Sequence, residues 1–304
     1  MKRIAPAYYP QFSCIAGACR HSCCIGWEID IDEDSCARFL AVDGAFGDRL
    51  RASISTEGET PHFRLCGAEE RCSFLNERGL CDIILTLGED ALCQICCDHP
   101  RYRNDFSDRT EIGLGLCCEA AASLVLGYEA PVSMVCLSDD GGREVLTAEE
   151  EQFFVLRDTL TSQLQMRGVP LETRIADMLS YVGGVRFSDM KAWSAFLQQL
   201  EILDGSWSER LACIGSERAE LPGHAGEQLL VYLLIRHLPK VLDGEIAAVL
   251  VSFAVLAYDL VSALFAQRET KDFAELCEIV RLFSSEIEYS EENLYAVFDG
   301  IASY

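Results

Sequence analysis

Positive charge is scarce in this chain: 304 residues carry 25 Lys and Arg against 49 Asp and Glu, a formal net charge of -24. So acidic a surface repels nucleic-acid phosphates and anionic lipid headgroups, which argues against generic binding to nucleic acid. A long apolar run is also lacking. Residues 246–258 carry no charge, but Asp259 ends the run short of the roughly twenty residues a span requires, so a buried core helix is expected and no membrane span. Met1-Lys2-Arg3 leads into Ala5, Pro6, Tyr8, Tyr9, Pro10 and Gln11 rather than an apolar signal core, and the expected location is the cytoplasm. No fixed-period repeat is present. Gly113 and Gly115 lack the matching strand and third glycine that a phosphate loop needs.

Cysteine is abundant, and unevenly placed. Of 16 cysteines, only Cys213 and Cys277 lie beyond Cys136. In a reducing compartment, clustered thiols read as metal ligands or redox groups before they read as disulfides. The clusters are Cys14, Cys19, Cys23 and Cys24; Cys72 and Cys81; Cys93, Cys96 and Cys97; and Cys117 with Cys118. Gaps of a few residues let a backbone curl round one ion or cluster, and soft thiolates select zinc or iron-sulfur without deciding between them. Cys36, Cys66, Cys136, Cys213 and Cys277 are isolated and read as ordinary core or surface thiols. His21 and His99 sit beside thiols already available, and Arg101 and Arg103 serve a cofactor carboxylate or simple charge balance.

The expected fold is mainly α: a cysteine-rich metal-binding region over residues 1–137 with short strands, then an all-α helical bundle over 144–304. Trp27, Ile29 and Ile31 alternate with Glu28, Asp30 and Asp32, the pattern of a half-buried strand. Residues 72–75 and 80–84 flank an Asn76-Glu77-Arg78-Gly79 turn, which sets Cys72 and Cys81 at opposite ends of a knuckle. The polar stretch 138–143 marks the boundary. Thr147-Ala148-Glu149-Glu150 reads as a capping box that opens a helix near residue 148. Further helices are expected at about 171–182, 189–203, 225–238, 244–268, 271–288 and 291–300.

These residues resemble the flagellin lysine-N-methylases. The likeness runs through Tyr8-Tyr9, Phe12, Cys14-Ile15, Cys19, Cys23-Cys24 and Gly26-Trp27, then the 29–32 segment. It continues through Cys72, Phe74-Leu75-Asn76, Leu80-Cys81, Leu87-Gly88-Glu89, Leu92-Cys93, Cys96, Pro100-Arg101 and Cys117 with Glu119-Ala120-Ala121. In the helical half it touches Glu227, Leu229 to Tyr232, Arg236, Phe283 and Ile287-Glu288. Cys97, His99 and Cys118 depart from the pattern, so the resemblance leaves nine favoured metal ligands: Cys14, Cys19, Cys23, Cys24, Cys72, Cys81, Cys93, Cys96 and Cys117. The resemblance implies S-adenosylmethionine as methyl donor, flagellin lysines as acceptor and a 4Fe-4S cluster. The usual radical signature is absent, because Gly26 stands where a third cysteine would follow Cys19 and Cys23, and no glycine-rich strand-loop-helix marks the donor. Tyr8, Tyr9, Trp27, Asn76 and Arg101 are candidate pocket residues, and none is assigned a catalytic role. The alternative is a non-enzymatic zinc- or iron-chelating module that docks a protein partner.

Overall fold

A computed structural model describes residues 1–58, 60–142 and 144–304. The chain forms two compact units, one made of residues 13–101 and the other of residues 1–12 together with 102–304. The expected boundary at 138–143, whose last residue Arg143 lies outside the described residues, is not where these units divide. The cause is β1 (Lys2–Pro6), which joins a sheet built from residues far along the chain and so ties the N-terminus to the helical unit.

In the cysteine-rich unit, α1 (Glu33–Leu40) starts where the Asp32 carboxylate accepts from the Ser35 amide at 2.9 Å, and α2 (Gly44–Ser53) follows it. Two-residue strands come next: β2 (Ile54–Ser55) pairs with β3 (His62–Phe63), and β4 (Leu65–Cys66) with β5 (Arg71–Cys72), both antiparallel. The anticipated strand at 27–32 keeps its alternation, with Ile29 and Ile31 each 1% exposed. Its pairing is short: Ile31 N–H donates to the Pro61 carbonyl and Phe63 N–H to that of Ile29, around a single bridge between Asp30 and His62. The knuckle is as expected. Leu75 bridges Cys81, Asn76 N–H donates to the Leu80 carbonyl at 2.9 Å, and the Asn76 side-chain oxygen accepts from the Arg78 and Leu80 amides. Residues 82–98 then break into α3 (Asp82–Leu87) and α4 (Gln94–Asp98), because Gly88 takes a φ of 93° that halts the first helix.

The second unit opens with β1 and resumes with β6 (Arg101–Asp105) and β7 (Arg109–Leu114), followed by α5 (Glu119–Leu126) and β8 (Met134–Asp139). The sheet order is β6-β7-β1-β8, with β1 parallel to β7 and antiparallel to β8. Eight helices then build the bundle: α6 (Ala148–Leu164), α7 (Leu171–Val182), α8 (Met190–Leu197), α9 (Gly205–Ala212), α10 (Ala225–His237), α11 (Ala247–Ala266), α12 (Phe273–Phe283) and α13 (Glu291–Ala302). The Thr147 capping box is formed, and Glu150 also accepts from the Ser107 amide at 2.7 Å, tying the start of α6 to the turn between β6 and β7. Among the described residues α11 is long and apolar enough to cross a membrane, and 94% of its most apolar window is buried within the protein. Its Asp259 is fully buried and accepts from Arg186 at 2.7 Å and Arg218 at 2.6 Å, which supplies the paired cations that a buried carboxylate needs.

A second buried pair joins sheet to bundle. Arg157 on α6 donates twice to Glu111 on β7, at 2.5 and 3.0 Å, with side chains 5% and 2% exposed. Removing one partner strands the other charge, so Glu111→Gln should cost about 3–5 kcal/mol, and a double replacement by apolar residues of like size should recover most of it. Urea denaturation of the three variants checks this; additive losses in the double variant contradict it.

Candidate metal centre in the cysteine-rich unit

Three backbone devices bring thiols from distant clusters together. The Cys72 amide donates to the Cys24 carbonyl at 2.8 Å, next to a bridge between Ile25 and Arg71, so the first cluster lies against β5. The knuckle places Cys81 at the N-terminal cap of α3. Cys93 caps α4 and Cys96 lies one turn on, their sulfurs 3.4 Å apart. Asp32 fixes this last element, accepting the Gln94 amide at 2.8 Å with one oxygen while the other caps α1. Trp27 donates from Nε1 to the Cys23 carbonyl at 2.7 Å, and Arg101 to the Cys97 carbonyl at 2.9 Å, so both support cysteine loops.

The thiols perturb one another. A hydrogen bond from Cys23 draws Cys24 down to about 7 against the opposing push of burial. Cys93 is lowered chiefly by its bond with Cys96, which in exchange is raised by holding the proton and by burial. Burial pushes Cys72 up to about 12 and Cys81 upward, and neighbouring thiolates add to both. Cys24, Cys72, Cys81, Cys93 and Cys96 therefore share one neighbourhood, and no lysine occurs in residues 13–101 to compete for them. Among the described residues, no three His, Cys, Asp or Glu donors stand close enough together to hold an ion. The donor chemistry fits a soft metal or an iron-sulfur cluster.

Cys14 is exposed and accepts from the Ala16 amide at 3.3 Å, while Cys19 ends a short 3-10 turn. Their loop is seated on the knuckle through Gly17, where a Cβ would stand 2.4 Å from the Arg78 carbonyl oxygen. Cys117 belongs to the other compact unit, between β7 and α5, and burial pushes its thiol up to about 12 despite a hydrogen bond with Tyr289. Tyr8 is a core residue whose buried hydroxyl has no hydrogen-bond partner among the described residues. Asn76 is consumed by the knuckle, and its amide also donates to Asp82 at 2.9 Å.

Sequence reasoning missed a polar network in the helical unit. Arg236 lies with its guanidinium carbon 5.1 Å from the Tyr102 ring centre and 4.7 Å from that of Tyr289, and it donates to the Tyr232 hydroxyl at 2.7 Å. Tyr232 in turn donates to Glu288, which also accepts from His237 at 2.7 Å. Gly113 and Gly115 acquire their reason here: a Cβ would fall 2.3 Å from the Tyr102 hydroxyl at the first and 2.0 Å from the Tyr289 hydroxyl at the second. Tyr232 and Arg236 stand four apart on α10, and both, with Glu288, are among the residues that carry the family resemblance; these signals could have flagged the cluster.

The chain is similar to the lysine-N-methylase of Salmonella typhimurium strain LT2, with 29% identity over 126 residues, covering 40% of this chain and 31% of that protein. The lysine-N-methylase of Salmonella choleraesuis strain SC-B67 matches to the same extent. The flagellar biosynthetic protein FliU of Salmonella muenchen is also 29% identical over 126 residues, and there the match covers 75% of the relative. The similarity thus spans under a third of the length of the two methylases. No family model matches, and no solved structure does.

Burial alone would raise Glu288, but the Arg236 charge and the His237 hydrogen bond outweigh it and hold the carboxyl at about 2 rather than 4.5. A depressed carboxyl contributes stability that is present above its unfolded value and lost as pH falls through the folded one, here from about 4.5 to about 2, by about 3 kcal/mol. His237, lowered by burial, adds a loss of the same sign that begins below 6.5. Denaturation midpoints should fall across both windows, and Glu288→Gln should flatten the acid part; an unchanged acid profile contradicts the assignment.

Proposed function

We propose that this chain is a protein-lysine N-methyltransferase acting on flagellin, with S-adenosylmethionine as donor and a 4Fe-4S cluster held by four of the five thiols Cys24, Cys72, Cys81, Cys93 and Cys96. The observation that carries the activity is the similarity to two lysine-N-methylases. The FliU likeness supports a flagellar acceptor. The Cys72–Cys24 backbone bond and the 3.4 Å approach of the Cys93 and Cys96 sulfurs set soft donors within one unit, which supports the cluster; when bound it would supply a cross-link between loops and a one-electron couple.

The reaction sets the demands on the protein. A lysine ammonium, with an ordinary pKa of about 10.4, must lose its proton before its nitrogen can attack. The N–C bond then forms as the S–C bond of the sulfonium breaks and the thioether leaves, and the methylammonium product keeps its protons at neutral pH, so one proton is released per transfer. Burial of the acceptor favours its neutral form, and a carboxylate or phenol nearby takes the proton.

Mass spectrometry of flagellin from a strain lacking this protein tests the reading. Loss of ε-N-methyl-lysine, restored by the intact chain but not by Cys72→Ala, is the expected result. Unchanged methylation would instead favour a non-enzymatic zinc- or iron-chelating module that docks a protein partner, a role to which four thiolates are equally suited.

A further inference from the structure

Helix α1 carries none of the five converging thiols, yet it is tied to two groups of them. Asp32, its N-cap, accepts the Ser35 amide at 2.9 Å with one oxygen and, with the other, the Gln94 amide at 2.8 Å, 62 residues later in the chain. Further along α1, Arg38 donates to the Leu92 carbonyl at 3.3 Å and to the Ser35 hydroxyl at 2.8 Å. Cys93 stands between these two contacts, so the backbone on both sides of it is bound to a single helix. The Cys93 carbonyl then accepts the Cys97 amide at 3.0 Å, which closes the turn that carries Cys96.

Aromatic packing ties the same helix to the other thiols. Phe39 of α1 is 1% exposed and packs on Phe63 with ring centres 5.6 Å apart, and Phe63 packs on Phe74 at 5.1 Å. Phe74 lies two residues beyond Cys72, and its backbone amide hydrogen-bonds the Cys72 sulfur. Cys72 is in turn held to Cys24 through the backbone. A row of three rings thus runs from α1 toward Cys24 and Cys72, and two polar ties run from α1 to Cys93 and Cys96. Partners of this kind orient metal ligands without touching the metal, and their loss weakens binding about 10–100-fold. Asp32 adds a charge as well: the bond with Cys96 lowers Cys93, and the Asp32 carboxylate opposes that lowering. Negative charge beside an iron-sulfur cluster disfavours the added electron and lowers its potential.

We propose that α1 braces the metal centre and that Asp32 is a positioning residue: it holds the Cys93–Cys96 turn in register with Cys24 and Cys72, with Arg38 as a second tie, and its charge lowers the midpoint of the bound cluster. The proposal rests on the metal-centre reading given above.

Asparagine caps a helix about as well as aspartate but has one side-chain oxygen, so Asp32→Asn can serve the Ser35 amide or the Gln94 amide and not both. The test takes full-length protein purified without oxygen, measures its metal, and follows release of that metal to excess chelator. Asp32→Asn and Arg38→Met should each release it about tenfold faster or more. Glu33→Gln, which removes a charge from the same helical turn, should release it as the parent does. On an iron-sulfur cluster Asp32→Asn should also raise the midpoint potential, by more at low ionic strength than at high, a dependence that loosening of the fold alone would not produce. Release at the parent rate in Asp32→Asn, equal acceleration in Glu33→Gln, or a cluster midpoint that stays or falls would each overturn the role. Zinc in place of iron would sink the cluster reading and leave the release test in force, whereas a protein without metal would sink both.

Discussion

The constraint on which the rest depends is how little apolar surface residues 13–101 bury. Their core, among the described residues, is ten side chains, and two of these, Cys72 and Cys93, are thiols. The strands in this unit are two residues long and the helices at most ten. Order here is therefore carried by specific devices: Asp32 capping α1 with one oxygen and holding α4 with the other, Asn76 closing the knuckle, and the Cys72 amide bound to the Cys24 carbonyl. All of them end at a cysteine or beside one. A small core that spends buried positions on mutually repelling thiols is what a cross-linking metal would make stable.

The helical unit solves the opposite problem. It has apolar material in excess, and four of its buried carboxylates are matched by cations: Glu111 with Arg157, Glu227 with Arg167 and Arg174, Asp259 with Arg186 and Arg218, and Glu288 with Arg236 and His237. In so acidic a chain, arginine is concentrated where a carboxylate has been buried.

Much of the bundle was legible because its signals are local. The Thr147 capping box, the 3.6-residue apolar period of α7 and α13, and the uncharged run of α11 each lie within one element. The stretch expected at 189–203 ends as a helix at Leu197, and α9 went unseen because its signal is only the Asp204 cap with Trp207 and Leu211 one turn apart. The four-stranded sheet was illegible for another reason: Lys2 pairs with Arg109 and with Asp139, and nothing in a five-residue strand names partners more than a hundred residues away. In the candidate site, sequence clustering singled out the thiols but not their grouping. Cys117 lies in the other unit, where its thiol hydrogen-bonds with Tyr289, and Gly113 and Gly115 are explained by two tyrosine rings rather than by a phosphate.

The central claim is that the converging thiols hold iron and sulfide. Metal and acid-labile sulfide analysis of the full-length protein, purified without oxygen, tests it most directly. Iron and sulfide in near-equal amounts, with a broad absorbance at about 400 nm that fades on Cys72→Ala, is the predicted result. Stoichiometric zinc with no sulfide would contradict it.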